Sequence, residues 1–378
     1  MEYPLAVFTP QVGTVSETFI RRHVNDLCAG ASVTIACQVG DPARSSWSFS
    51  GPMLVLDHVE PVQFTRDTGW VFNLGHLNAI REFLQEHRVQ VVLGEYLDVC
   101  LPLLEICLEL DIPFWGHAHG YDISMRLRDP GMRYAYRSYN QAAGIIVGCD
   151  WARERLLGLT PDNVYVVPCG VDLPNEPVVR SQTAQIRCLA VGRFVPKKAP
   201  LVTLDAFRQA LLVCPNLQLD YIGSGDLVPA AQKYIRSHDL ERYVTFYGSR
   251  SHDFVKQSMR AADIFLQHSM TDAATGDQEM MPVGILEAMA YNLPVVSTRH
   301  AGIPEAVQDK ITGYLVDEGD TRCMSECIVK LAQDRELRKR MGNAARERVN
   351  DRFSWGLERT ALLDLLDLSF ESNGGAAV

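Results

Sequence analysis

At 378 residues the chain is long enough for two domains of ordinary size, and 47% hydrophobic with 22% charged residues is the make-up of a globular protein with sizeable cores. A formal net charge of −10 removes any global electrostatic case for a nucleic-acid or membrane partner and leaves only local basic patches. The ten cysteines are scattered with no C-x-x-C, several inside apolar runs such as SVTIACQV, which predicts buried free thiols of a cytosolic protein. MEYPLAVF lacks the basic-then-apolar plan of a signal peptide, and no apolar run reaches the ~18 residues of a membrane span.

In chain order, apolar runs of strand length stand at 5–9, 32–39, 89–96, 113–119, 143–149 and 164–170. Amphipathic stretches such as LNAIREFLQEH (77–87) and CLPLLEICLEL (100–110) lie between them. That alternation predicts βαβ units and a mainly parallel sheet. The Pro-rich, polar stretch VDLPNEPVVRSQTAQ (171–185) reads as an interdomain linker, and the pattern then restarts with strands at 186–193, 217–223, 243–248, 263–267 and 294–298. Two doubly wound α/β halves follow. From about Asp320 the periodicity is helical, in CMSECIVKLAQD, RELRKRMGNAARERV and WGLERTALLDLLDLSF. RELRKR reads as a solvated helix face, and the tail ESNGGAAV as a frayed end.

Chemistry-bearing residues fall at strand ends. LAVFTPQVGTVSETF runs from a strand through Gly13 into Thr14-x-x-Glu17, a capping-box pattern; Gly13 would let backbone approach a phosphate, or simply turn the chain before a capped helix. His119 ends PFWGHAHG, as a structural or a catalytic imidazole; His117 makes an H-x-H with it, but no third ligand stands out and no metal is expected. Arg193 and Lys198 in VGRFVPKKAP can neutralise a diphosphate leaving group, or be surface charges. No D-x-D, the usual carboxylate pair for a nucleotide-bound cation, occurs in the chain.

In GDQEMMPVGILEAMA (276–290), Glu279 belongs to a polar loop and Glu287 to the following helix, about one turn in if that helix starts near Pro282 or Val283. The N–H groups of such a helix start attract an anion, and a carboxylate can accept two hydrogen bonds from a vicinal diol. Two diol readers beside an anion site suit a nucleoside-diphosphate sugar. Glu279 as a cap and Glu287 as a surface ion pair is the plainer alternative.

Together these residues resemble a known family. Residues 186–310 look like the donor-binding domain of the GT-B glycosyltransferases of family 4, which are retaining enzymes. GDQEMMPVGILEAMAYNLPVVSTRHAGIPEAV carries the family's E-x7-E motif with its EAMA-x-x-x-PVV and GIPE blocks; VGRFVPKK, PCGVDL and YIGSGDL supply further blocks. VSETFIRRHV and HAHGYDIS resemble the colanic-acid-type exopolysaccharide transferases. The resemblance implies a GT-B fold: two Rossmann-like domains facing across a cleft, 1–172 on the acceptor side and 173–353 binding the donor, with a C-terminal helix (354–378) crossing back to the N-terminal domain. It implies that Glu287 binds the ribose and that Glu279 holds the transferred sugar, assisted by the backbone N–H groups of the stretch Met281, Pro282 and Val283. Arg193 and Lys198 would bind the diphosphate, Gly13 would line its other side, and His119 would sit beside the sugar. Tyr247, Gly248 and Ser249 stand where the family contacts the base.

Several departures bear on this. Met280-Met281-Pro282 replaces a commoner Gly-containing tripeptide, Asn292 and Ala199 stand where Gly is usual, and LGEY (93–96) replaces a His-containing strand end. The expected reaction is metal-independent, retaining transfer of a hexosyl unit from a UDP- or GDP-sugar to an acceptor hydroxyl, with no cofactor, in polysaccharide or glycoconjugate biosynthesis. A GT-B nucleotide-sugar 2-epimerase and a non-catalytic nucleotide-sugar-binding scaffold are the alternatives. The acceptor (a saccharide, lipid-linked glycan or small molecule) is open. Arg126, Arg128, Arg133 and Arg137 lie among aromatics, suited to an anionic acceptor or weak contact with an inner-leaflet surface, or to an ordinary basic helix face. A cytoplasmic protein, peripheral at the inner membrane face in the second case, is expected.

Overall fold

The structure, a computed structural model, describes residues 3–14, 17–40, 47, 49, 51–65, 69–160, 163–176, 178 and 184–368. It divides into two compact units: residues 1–147, 156–167 and 356–378, and residues 148–155 with 168–355.

The first unit is built on the strands β1 (Leu5–Val12), β2 (Ser32–Val39), β3 (Met53–Val55), β6 (Val91–Glu95), β7 (Phe114–His117), β8 (Gly144–Val147) and β9 (Val164–Val166), in the spatial order β3-β2-β1-β6-β7-β8-β9. All neighbours pair in parallel. Leu5 to Phe8 are wholly buried, as the central strand of a sheet covered on both faces should be. Between β3 and β6 the short strands β4 (Gln63–Thr65) and β5 (Gly69–Val71) form a separate antiparallel pair. The order reverses between β1 and β6, which opens a crevice at their carboxyl ends.

The second unit repeats this plan. Its parallel strands β10 (Ile186–Val191), β11 (Leu217–Ile222), β12 (Val244–Gly248), β13 (Ile264–Leu266), β14 (Val295–Thr298) and β15 (Gly313–Val316) run in the order β12-β11-β10-β13-β14-β15, so the order reverses between β10 and β13. Strand ends here approach closely. A Cβ on Gly223 (φ 151°) would lie 1.8 Å from the Gly192 carbonyl oxygen, so the loop after β11 runs against the loop after β10 only as glycine.

The eleven strand runs read from the sequence all appear; β3, β4, β5 and β15 are additions, each of three or four residues. The capping box at Thr14 does not form. The helix Thr18–Asn25 has Glu17 at its N-cap without a side-chain cap, Thr14 Oγ1 donates to Gln11 Oε1 (3.5 Å), and the Glu17 carboxylate accepts from the Tyr96 hydroxyl at 2.9 Å. In the stretch 171–185, Val171 exchanges hydrogen bonds with the chain around Ser354 and Arg346 donates to the Pro174 carbonyl; residues 177 and 179–183 lie outside the described residues, as does the tail 371–378. The segment 148–155 groups with the second unit, where the Glu305 carboxylate accepts the N–H groups of Asp150 and Trp151 at 2.9 Å each and so caps the helix Asp150–Leu156. The helix Trp355–Leu365 groups with the first unit: Arg359 donates to the carbonyls of Asp26 and Leu27, and Leu362 is wholly buried. No helix among the described residues is long and apolar enough to cross a membrane.

Candidate functional site

In the second unit, cations and carboxylates meet where the strand order reverses. Arg193, exposed, follows β10; Lys197 and Lys198 end the single 3-10 turn Pro196–Lys198. Asp277 and Glu279 come from the loop after β13. Lys198 Nζ donates to Glu279 Oε2 at 2.9 Å, while Lys197 Nζ lies 3.0 Å from Asp277 Oδ1 and 3.7 Å from Glu279 Oε1. Burial alone would raise the Glu279 carboxyl, yet Lys198 and Lys197 outweigh it and hold the group at about 2. Burial, Lys197 and Arg193 lower the Lys198 ammonium, and Glu279 opposes them. Two lysines facing one shared carboxylate keep Glu279 ionised.

The loop bearing Glu279 is anchored from behind. The Glu279 N–H donates to His300 Nε2 (3.1 Å), and His300 Nδ1 lies 2.6 Å from Glu318 Oε1. An Nε2 that accepts carries no proton, so the ring's proton sits on Nδ1 and goes to Glu318. Glu318 Oε2 in turn accepts the N–H of Thr271, at the other end of the same loop. Met280 is buried, its sulfur accepting the Gly148 N–H at 3.3 Å and its carbonyl the Gly302 N–H at 2.9 Å. A Cβ on Gly302 would stand 2.4 Å from that carbonyl oxygen, which explains the glycine that opens GIPE.

The helix Val283–Ala290 starts at the same place, with Pro282 as its N-cap. Pro282 has no N–H, so the donors of the first turn are Val283 and Gly284 rather than the whole stretch 281–283. A Cβ on Gly284 would lie 3.7 Å from the Val191 carbonyl oxygen and 3.9 Å from Phe265, which puts the helix start against the ends of β10 and β13. Glu287, half-buried, is the fifth residue of the helix, and its Oε1 lies 3.9 Å from Nδ1 of His252. His252 opens the helix that follows Tyr247, Gly248 (φ 69°) and exposed Ser249. The Tyr247 ring packs on Phe254 at 5.2 Å. The structure thus gathers Arg193, Lys198, Glu279, Met281, Pro282 and Val283 around one helix start, and links Glu287 through His252 to the segment 247–249.

Gly13 and His119 belong to the first unit. Gly13 (φ 87°) follows β1. His119, 5% exposed, follows β7, its Nε2 2.8 Å from Glu95 Oε2 and its ring between Tyr96 (4.5 Å) and Phe19 (4.7 Å). Burial lowers this imidazole to about 4, so it is neutral near pH 7. The H-x-H pair does not form a ligand set with a third residue: among the described residues, the ligand-type atoms that lie within 4.8 Å of one another are those of His23, Glu95 (in the strand end LGEY) and His117, without His119. Arg126 is not a surface residue: it is 6% exposed, with Nε 3.0 Å from Asp98 Oδ2, whereas Arg128, Arg133 and Arg137 are exposed. Of the ten cysteines, Cys323 is exposed and Cys327 half-buried; the other eight are buried, and none forms a disulfide.

Sequence reading missed Lys197, Asp277, His300, Glu318, Glu95 and His23. The first two had a local signal, being next to Lys198 and two residues from Glu279. His23 and Glu95 lie 72 residues apart and had none.

Comparison with known proteins agrees with this picture. Residues 16–174 match the family described as Glycosyltransferase Family 4, and residues 175–348 match Glycosyl transferases group 1, so the two matches account for most of the chain. The chain is 30% identical over 255 residues to the amylovoran biosynthesis glycosyltransferase AmsK of Erwinia amylovora, and 30% identical over 254 residues to WcaL of Escherichia coli strain K12, named for colanic acid biosynthesis. Each alignment covers 66% of this chain and 62% of the relative's length. In fold, the chain is similar to HepE of Anabaena, solved in complex with UDP-glucose: TM-score 0.78 and 17% identity, over 96% of this chain and 99% of that one. Both halves of the sequence and both sheets being matched in this way, the chain belongs to the family 4 glycosyltransferases of GT-B fold.

Proposed function

We propose that the protein transfers a hexosyl unit from a nucleoside-diphosphate sugar to an acceptor hydroxyl, with retention of anomeric configuration and without a metal ion. The observation that carries this reading is the cluster of Arg193, Lys197 and Lys198 around ionised Glu279 at the start of the helix Val283–Ala290. As the glycosidic bond breaks, negative charge grows on the diphosphate. Fixed cations and helix N–H groups lower the energy of that charge without having to reorganise. Glu279 and Glu287 accept hydrogen bonds from sugar and ribose hydroxyls respectively, and Tyr247, Gly248 and Ser249 receive the base. The family resemblance assigns Gly13 to the diphosphate and His119 to the transferred sugar.

Metal independence is supported by the carboxylates' engagement: Asp277 and Glu279 are each within 3.0 Å of a lysine ammonium, which performs the charge neutralisation a cation would supply. Retention and a UDP or GDP base rest on the family resemblance. The names of AmsK and WcaL favour polysaccharide or glycoconjugate biosynthesis; a cytoplasmic place and a saccharide, lipid-linked glycan or small-molecule acceptor rest on the sequence expectation. The exposed Arg128, Arg133 and Arg137 would meet an anionic acceptor or the inner membrane face.

The test is calorimetric titration of UDP, GDP, ADP and their sugars, in EDTA, into the wild type and Glu287→Ala. One nucleotide binding selectively, at least about tenfold more weakly in the variant, is the expected result. Binding that appears only with added divalent cation refutes metal independence, and no binding by any nucleotide refutes the donor site.

A further inference from the structure

We propose that Glu95 is a positioning residue for His119: it fixes that imidazole in the tautomer with hydrogen on Nε2, supported by His23 and by Glu358 of the C-terminal helix. The consequence for transfer rests on the proposed place of His119 beside the donor sugar; the tautomer itself does not.

The geometry leaves few choices. Glu95 is wholly buried, its Oε1 2.6 Å from His23 Nδ1 and its Oε2 2.8 Å from His119 Nε2. His117 Nδ1 lies 3.3 Å from Oε2 without the geometry of a hydrogen bond. The other nitrogen of His23 lies 3.4 Å from Oε1 of Glu358, which is 2% exposed. An imidazole with a carboxylate at each nitrogen holds both protons, so His23 is a buried cation between two carboxylates; burial opposes this, but Glu95 and Glu358 raise the group to about 10. That cation in turn keeps Glu95 ionised against its own burial.

An ionised carboxylate only accepts. The proton on the short His119–Glu95 contact therefore belongs to Nε2, and since the buried ring holds a single proton, Nδ1 is its acceptor atom. The Asp122 N–H, in the first turn of the helix Gly120–Ile123, faces the His119 side chain and favours the same tautomer; with the ring plane held between Phe19 and Tyr96, Nδ1 is an acceptor that cannot donate a hydrogen bond to a sugar hydroxyl. Glu358 is 335 residues from His23 in the chain, so this state is complete only when the C-terminal helix is seated on the first unit.

The test is the ring-nitrogen NMR spectrum of the full-length protein labelled with 15N-histidine, with His119 assigned through His119→Gln. Wild type is expected to show His119 as the single Nε2–H tautomer at pH 7. Glu95→Gln, whose amide can donate as well as accept, is expected to mix the tautomers, and Glu95→Asp to keep more of the wild-type form. Because Glu95→Gln leaves His23 with one carboxylate, Glu95→Gln/His23→Gln serves as the variant without a lone buried charge. In the transfer assay Glu95→Gln should lower kcat about tenfold or more with donor KM within about threefold. An unchanged Nε2–H signal in both Glu95 variants overturns the proposal. So does one equivalent of metal in the purified wild type that is lost in Glu95→Gln, because Glu95 and the histidines would then be ligands. If the tautomers mix while kcat holds, the positioning role stands and the placement of His119 beside the sugar falls.

Discussion

Glu279 shows how a nearly buried carboxylate stays charged: burial disfavours the ion, and two ammonium groups at 2.9 and 3.7 Å more than restore it. Removing the closer one should be costly. Lys198→Met is expected to destabilise the fold by about 3 kcal/mol in urea unfolding, and Lys198→Met/Glu279→Gln by less, since no lone charge is left buried. The titrating groups also set the pH range of stability. Glu279, held at about 2 against an ordinary 4.5, contributes stability that is present above pH 4.5 and lost as pH falls toward 2. His119 and His268, both lowered to about 4 chiefly by burial, are neutral in the fold but protonate in the unfolded chain below 6.5, so they too subtract stability as pH falls from 6.5 to 4. His23 works in the opposite sense: raised to about 10, its contribution is full below 6.5 and lost between 6.5 and 10. Melting temperature should therefore peak near pH 6.5, and His23→Gln should flatten the alkaline side in a scan from pH 4 to 10.

At the scale of elements, the helix Val283–Ala290 is held at both ends. Its start lies against β10 and β13; its end is a left-handed turn in which Asn292 (φ 58°) donates its N–H to the Met289 carbonyl and Leu293 to the Ala288 carbonyl. Asn at this position, where the family uses glycine, adopts the left-handed conformation and adds a side-chain bond to Asn343 at 3.1 Å. The helix Arg335–Arg352 crosses just there, and a Cβ on Gly342 would stand 2.0 Å from the Asn292 carbonyl oxygen. Gly342→Ala must push the two helices apart. It is expected to cost about 3 kcal/mol in denaturant unfolding and, by moving the helix that carries Glu287, to weaken nucleotide binding in calorimetry.

For the whole molecule, the last described helix matters out of proportion to its length. Leu362, Leu363, Leu366 and Leu368 are all buried and belong to the first unit, as does Glu358. A chain ended at Phe353 loses these four leucines, roughly 6 kcal/mol of burial, together with one of the two carboxylates of His23. Urea unfolding followed by near-ultraviolet circular dichroism should show the first unit's transition lost or moved to low denaturant. A retained second transition is expected from the second unit, with nucleotide still bound but more weakly, because Gly13 is lost from the diphosphate.

Much of this architecture was legible in the chain because parallel strands covered on both faces must be apolar throughout, so SVTIACQV announces β2 without help from its neighbours. GYLV (β15) and MLV (β3) are too short to carry such a signal, and only the strands beside them make them sheet. The candidate-site residues Glu279, Pro282 and Glu287 were legible because they are close in sequence: Pro282 marks the helix start, with Glu279 on the loop before it and Glu287 just over one turn after it. The sequence by itself determined the two βαβ series, the site after β13 and the cations after β10. Only tertiary structure decided that Lys197 shares Glu279, that Arg126 is spent on Asp98, and that His23, Glu95 and Glu358 form one buried network. Local backbone preference specifies elements, but the partner of a buried charge is whichever opposite charge folding brings within about 4 Å, however far away it lies in the chain.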